Sequence, residues 1–156
     1  MIEVQLYRYI AEFDAAPYMQ TLAIPDEFRQ RMVLDVLEYL HEQDQSLAYR
    51  RSCREGVCGS DGMNINGKNR LACISPVGEV LGASNSLVIR PLPGMPVIRD
   101  LVVDQSLFFA QYQRVKPWLV NNQPAPTIER LQSPEERARL DGLYECILCG
   151  CCTSQC

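Results

Sequence analysis

No apolar run in this sequence approaches the roughly 18 residues that a membrane-crossing helix takes. There is one histidine and one tryptophan. Basic charge is not in excess: 15 Lys and Arg stand against 19 Asp and Glu, a net charge of −4. That balance excludes a broad electrostatic grip on phosphate backbones, so no nucleic-acid partner is expected. The opening segment MIEVQLYRYI has neither the basic start of a secretory signal nor the Arg- and Ser-rich face of a transit peptide, and the expectation is a chain that stays in the cytoplasm where it was made. No acid–base or nucleophilic constellation stands out. His41 falls on an expected helix, as a surface residue rather than a ligand, and Trp118 beside Pro117 reads as a packing anchor rather than a redox relay. Internal repeats and low-complexity segments are also missing.

What is present is cysteine. The chain holds eight, three within 53–73, five within 146–156 and none between. Reducing compartments keep thiols from pairing, so cysteines without an export signal favour metal binding over a disulfide framework. The two clusters predict two separate sites. The 47% hydrophobic and 22% charged content is that of a folded globular chain, and 156 residues hold one ordinary domain or two small ones.

The patterning supports two pieces. Ile2, Val4 and Leu6 alternate with Glu3 and Gln5, the period of a half-buried strand. PYMQTLAIP reads as a weaker strand. Met32, Val33, Val36, Leu37 and Leu40 form one helical stripe, with Asp26 as its expected N-cap. Asn66-Gly67 marks a two-residue hairpin, and EVLGASNSLVIRPL reads as two short strands around Gly82–Ser86. From Asp100 the period becomes helical, with Val103, Leu107 and Ala110 in step, until Lys116-Pro117 stops it. After a proline-containing connector, Ser133, Pro134 and Glu136 form a capping box with proline at the first helical position. That helix is expected to deliver the chain into the second cysteine cluster. The expectation is an α+β fold: residues 1–105 as one domain, and 106–156 as the beginning of a helical one.

Cys146, Cys149, Cys152 and Cys156 have the spacing C-x2-C-x2-C-x3-C of bacterial-type iron–sulfur ligation. Short loops wrap three thiolates around one cluster, and the fourth cysteine points to another. Zinc would usually add a second, distant pair of ligands to a CxxC. Cys151 breaks the spacing and reads as a bystander. In the first loop, Cys53-x4-Cys58-x2-Asp61, followed by Cys73, is the plant-type [2Fe–2S] spacing with an aspartate in the third place. Gly56, Gly59 and Gly62 let the backbone fold closely around a cluster and aim N–H groups at its sulfurs. Arg50, Arg51 and Arg54 place positive charge nearby, or simply face solvent. Asp61 has two readings, an iron ligand where the pattern needs an anion, or the cap of a turn. The spacing favours the ligand.

Together, RRSCREGVCGSDGMNINGKNRLAC, RDLVVD, KPWL and YECILCGCC resemble the iron–sulfur subunits of succinate dehydrogenase, respiratory complex II, over essentially the whole chain. The resemblance implies an N-terminal β-grasp ferredoxin-like domain with a [2Fe–2S] cluster on Cys53, Cys58, Asp61 and Cys73. It implies a helical ferredoxin-like domain in which Cys146, Cys149 and Cys152 bind a [4Fe–4S] cluster and Cys156 belongs to a [3Fe–4S] cluster. The implied activity is succinate:quinone oxidoreductase, with electrons passing from a FAD-containing flavoprotein subunit through the clusters to a quinone at membrane-anchor subunits, which carry haem in many relatives. The expected place is the cytoplasmic face of a bacterial inner membrane. Family members continue beyond the last cysteine here, so this sequence reads as a fragment whose second and third clusters are incomplete.

Overall fold

In the computed structural model, which describes residues 1–155, the chain forms two compact units. One comprises 1–105 together with 148 onward, and the other 106–147. The long segment of the first unit ends at Gln105. The expected second piece is divided, because the residues from Leu148 pack with the first unit.

The first unit is built on a mixed five-stranded sheet. β1 (Ile2–Arg8) runs antiparallel to β2 (Tyr18–Ile24) and parallel to β5 (Ser86–Arg90). β3 (Gly62–Ile65) and β4 (Lys68–Leu71) complete the order β2-β1-β5-β3-β4. Alternation places Ile2, Val4 and Leu6 in the core as expected, and also the fourth inward position, Arg8. That buried guanidinium donates from Nε to Asp100 (3.1 Å) and from its terminal nitrogens to Gln20 (2.7 Å), Asp44 (2.8 Å) and Ser46 (2.6 Å). Asp100, fully buried, also accepts from the Tyr9 N–H (2.9 Å) and the Ala48 N–H (2.8 Å). Each charge is thus paired and hydrogen-bonded, the condition for burying one.

The helix α1 (Val33–Gln43) buries Val33, Leu34, Val36, Leu37 and Leu40, the predicted stripe shifted by one member, since Met32 is exposed. Asp26 does not cap it; it opens a separate 3-10 turn, Asp26–Gln30. The reason lies in two bonds, Val33 N–H to the Ser75 carbonyl and Val77 N–H to the Arg31 carbonyl, both 2.9 Å. They hold residues 31–33 extended against 75–77 and postpone the helix. The Asn66-Gly67 hairpin forms as expected between β3 and β4, with φ of 47° and 81° at its two central residues. Such angles match the twist of the flanking strands. The first of the two strands expected in EVLGASNSLVIRPL is instead part of a helix, α2 (Val77–Leu81). Val77 and Leu81, four apart, are both buried, and Gly82 ends the helix at φ 53°. The second strand is β5.

β6 (Val97–Arg99) and β7 (Val102–Val103) form a small hairpin, so Val103 belongs to a strand and not to the following helix. The second unit contains α3 (Ser106–Val115) and α4 (Pro134–Ala138), neither with a buried residue. The Ser133 cap forms in both directions: the Ser133 hydroxyl accepts from Glu136 N–H at 3.2 Å, and the Glu136 carboxylate accepts from Ser133 N–H at 2.9 Å. α4 nevertheless stops at Ala138 rather than running to the cysteines. The chain turns over Asp141-Gly142 with Gly142 at φ 82°, a conformation that a helix cannot absorb.

Candidate metal centre

Residues 53–61 form an irregular loop between α1 and β3. Its shape comes from three left-handed positions, Arg54 (φ 65°), Gly56 (φ 75°) and Gly59 (φ 70°). Arg54 holds an angle that costs a residue with a side chain, and its guanidinium is anchored on α1, at 2.7 Å from Asp35 and 2.9 Å from Glu38. Arg51 meets Glu38 at 2.6 Å, and Arg50 donates to the Val103 carbonyl at 3.0 Å. The three arginines therefore fasten the loop to the sheet domain, Arg51 and Arg54 through carboxylates and Arg50 through a neutral carbonyl. At Gly56 a side chain is disfavoured by φ, and a Cβ would also press on Ile74, whose Cδ1 would lie 3.0 Å away.

The turns aim backbone N–H groups at sulfur. Cys58 N–H (3.3 Å) and Glu55 N–H (3.5 Å) point to Cys53 Sγ, and Cys53 N–H points to Cys58 Sγ at 3.5 Å. Ser60 Oγ lies 3.1 Å from Cys58 Sγ. Its hydroxyl and the backbone donors draw the Cys58 thiol down to about 6. Cys73, by contrast, is buried in the 3-10 turn Ala72–Ile74, and burial, followed by the hydrogen bond with Asp61, pushes it up to about 11.

Asp61 is only 2% exposed. Its Oδ2 accepts from Cys73 N–H at 2.5 Å, and its carbonyl accepts from Ala72 N–H at 3.1 Å. Its Oδ1 is buried with no hydrogen-bond partner. One carboxylate oxygen thus does what a turn cap does, while the other is left in a place where an unpartnered anion is costly. The donors come in two pairs, Cys53 with Cys58 and Asp61 with Cys73. Among the described residues no three His, Cys, Asp or Glu side chains are grouped to hold one metal ion. Two donors per pair suit a binuclear centre, where each iron takes two protein ligands. Together with the N–H groups aimed at sulfur and the orphaned Oδ1, this donor set fits a [2Fe–2S] group.

Of the second motif, Cys146 is exposed at the end of the second unit, whereas Cys149 and Cys152 belong to the first, Cys149 half-buried and Cys152 exposed. Cys156 lies outside the described residues. Residues 148–155 fold back on the sheet domain. Gly150, buried at φ 75°, packs on Leu92 and Met95, with a would-be Cβ 3.6 and 3.0 Å from them. Cys151 is half-buried, and burial, then the neighbouring Cys149, push its thiol up to about 12. Asn69 on β4 donates to the Cys151 carbonyl (3.2 Å) and to Ser154 Oγ (3.0 Å). Cysteine spacing gives no sign of Asn69 or Ser154, and Gly62, expected with Gly56 and Gly59 to let the backbone fold around a cluster, is not in the left-handed region as those two are. The one available signal is positional, since the Asn66-Gly67 turn dictates which way β4 faces. His41, placed on the surface by the sequence, is held by a 3.1 Å contact between Nδ1 and the Leu47 carbonyl and by an edge-on Tyr49 ring. Trp118 remains 47% exposed, leaning on Tyr112 with ring centroids 5.6 Å apart.

Residues 3–110 match the family described as the 2Fe-2S iron-sulfur cluster binding domain. The chain is 55% identical over 152 residues to the succinate dehydrogenase iron-sulfur subunit of Coxiella burnetii, covering 97% of this chain and 63% of that one. It is 46% identical over 157 residues to the mitochondrial succinate dehydrogenase iron-sulfur subunit 3 of Arabidopsis thaliana, covering 99% and 50%. A chain in the structure titled "Mycobacterium smegmatis Sdh1 complex in the apo form" superposes with a TM-score of 0.82 at 27% identity, over 99% of this chain and 63% of that one. This chain thus spans 50% to 63% of the length of these relatives.

Proposed function

Because the chain belongs to the 2Fe-2S iron-sulfur cluster binding domain family, with its α+β ferredoxin-like fold, we propose that it carries electrons as the iron–sulfur subunit of a succinate dehydrogenase. The names of relatives matched over nearly the whole chain support that assignment. The observation that carries it in the molecule itself is the loop 53–73, with two donor pairs and a buried carboxylate oxygen left without a partner. In this reading Cys53 and Cys58 hold one iron, and Asp61 and Cys73 the other. A [2Fe–2S] group accepts and releases one electron at a time. The chain's own part is to hold that group with N–H donors that stabilise the negative charge gained on reduction, and to keep water from the Asp61–Cys73 side by burial.

In the same reading, Cys146, Cys149 and Cys152 serve a [4Fe–4S] cluster, Cys156 a [3Fe–4S] cluster, and 106–156 begins the helical domain. Succinate is oxidised to fumarate on a FAD-containing flavoprotein subunit. Electrons leave toward a quinone at membrane-anchor subunits, which places the chain at the cytoplasmic face of a bacterial membrane. No helix among the described residues is long and apolar enough to cross a membrane.

The test is anaerobic reconstitution with iron and sulfide, then mixing with a succinate dehydrogenase flavoprotein subunit. Succinate should bleach the [2Fe–2S] absorption. Bleaching by dithionite but not by succinate would remove the succinate assignment and leave a ferredoxin-type carrier. Zinc bound without sulfide would remove the iron–sulfur reading. For Asp61, spectra of Asp61→Cys and Asp61→Asn should each differ from the parent, and three identical spectra would leave Asp61 as a turn cap only.

A further inference from the structure

Gly62 is the first residue of β3 and directly follows Asp61. Its φ is not in the left-handed region, so nothing in its backbone calls for glycine. Space does. A Cβ at this position would lie 2.9 Å from the Cys149 carbonyl oxygen and 3.2 Å from Cys151 Sγ. The first distance is one that Cβ atoms do not keep, and the atom it meets is backbone, which cannot swing aside. The missing side chain therefore lets the second cysteine motif rest directly against the loop that carries Asp61.

A polar clamp holds the contact shut. Asn64 Nδ2 donates to Asn69 Oδ1 at 2.7 Å, which orients the Asn69 amide so that its own Nδ2 faces Cys151 O and Ser154 Oγ. Ser154 in turn donates from Oγ to the Gly150 carbonyl at 2.8 Å. Cys151, dismissed on spacing as a bystander, fills the remaining gap as a half-buried thiol beside Gly62.

We propose that Gly62 and Asn69 are positioning residues that press the Cys149–Cys151 turn against the loop carrying Asp61, making a packed junction between the first iron–sulfur site and the Cys149–Cys151 turn of the second motif. The inference rests on the reading that both motifs ligate clusters. Electron tunnelling falls steeply with the width of a gap, so a side chain at 62, which would displace the Cys149 backbone, or a lost clamp at 69 acts on the transfer between sites. One electron leaves the reduced first site and arrives at the second. No bond in Cys151 forms or breaks.

The experiment compares the full chain with Gly62→Ala, Asn69→Ala and Asn69→Gln. In the metal-free chain, alkylation of Cys151 by iodoacetamide is followed by mass spectrometry. Asn69→Ala should speed it by about tenfold, the change expected when a local closure loses two ordinary hydrogen bonds. Gly62→Ala should speed it at least as much, while Asn69→Gln, which keeps the amide donors, recovers part of the protection. Equal rates in the parent and in Asn69→Ala would overturn the clamp. In the dithionite-reduced, reconstituted chain, the [2Fe–2S] paramagnetic signal should show less broadening by the second centre in Gly62→Ala and Asn69→Ala, with unchanged visible absorption of the first. Unchanged broadening, or a parent whose signal shows no broadening at all, would overturn the junction. A parent that takes up no cluster yet protects Cys151 would sink the electron-transfer reading and leave only the packing.

Discussion

The two cysteine regions share a ligand chemistry and differ in what holds them. The loop 53–73 lies in a unit that contains every buried apolar side chain among the described residues, from Ile2 to Val103. The segment 106–147 has well-formed local structure, a two-way cap at Ser133 and an Arg137–Asp141 pair at 2.8 Å, but α3 and α4 bury nothing. Leu107, Val115, Leu119, Ile128, Leu131 and Leu143 are each more than 70% exposed. Local hydrogen bonds alone are worth little, and a core is what turns a cysteine pattern into a geometry. Hence the first loop already displays its donors in pairs, and the second motif is ordered where residues 148–155 borrow the sheet domain's surface.

From that contrast, the largest effect should come from the buried pair. Asp100→Ala takes from Arg8 its fully buried counter-charge, leaving it Asp44, and strands two backbone N–H donors, and should cost about 3 kcal/mol, measured by urea unfolding of the metal-free chain with the loss of β-sheet circular dichroism as signal. A cost near zero would mean the sheet unit is not held as described. Next, Leu37→Ala in α1 removes a fully buried side chain and should cost about 2–5 kcal/mol. The same probe would show whether this core forms one cooperative unit, since both substitutions should shift one transition.

Asp44 sharpens the picture through pH. The Ser46 hydroxyl first, and then Arg8, hold its carboxyl down at about 2. A depressed acid stabilises the fold above its unfolded value and loses that contribution as pH falls toward the folded one. Asp44→Asn should therefore lower stability at pH 7 by about 1 kcal/mol, a figure trimmed for the screening of a half-exposed carboxylate. Thermal melts of parent and variant should converge between about pH 4 and pH 2. A gap that persists at pH 2 would assign the loss to packing instead. Smallest of all, Leu119→Ser, at a side chain 88% exposed, should move stability by no more than about 0.5 kcal/mol. A larger change would show that the second unit has a core not visible here.

The sequence was most legible where one local rule acts alone. Period two gave β1, period 3.6 gave α1, and Asn66-Gly67 gave the hairpin. It was least legible where a distant strand intervened. The start of α1 moved from Asp26 because residues 31–33 pair with 75–77. The expected strand EVL became α2 because Val77 and Leu81 share one buried face. In the site, the spacing of Cys53, Cys58, Asp61 and Cys73 was readable, since cysteine is rare and its chemistry specific. Two things were not readable. The division of Asp61 into one capping oxygen and one free oxygen depends on where β4 returns the Cys73 amide. The reason for Gly62 depends on residues nearly ninety positions later.

The Asn66-Gly67 turn has a bearing on how the protein ages. Asparagine followed by glycine is the peptide sequence most prone to deamidation, because glycine leaves the following amide nitrogen free to attack the asparagine side-chain carbonyl. Here both partners are occupied. The Gly67 N–H donates to Asn64 Oδ1 at 3.1 Å, and the Asn66 amide donates to the carbonyls of Val80 (3.1 Å) and Ser86 (3.3 Å) while accepting from Val88 N–H at 2.6 Å. Cyclisation would require breaking the bonds that join β3, α2 and β5. The folded chain therefore protects its most perishable dipeptide, and isoaspartate at this position would be a clock of how often the sheet has opened.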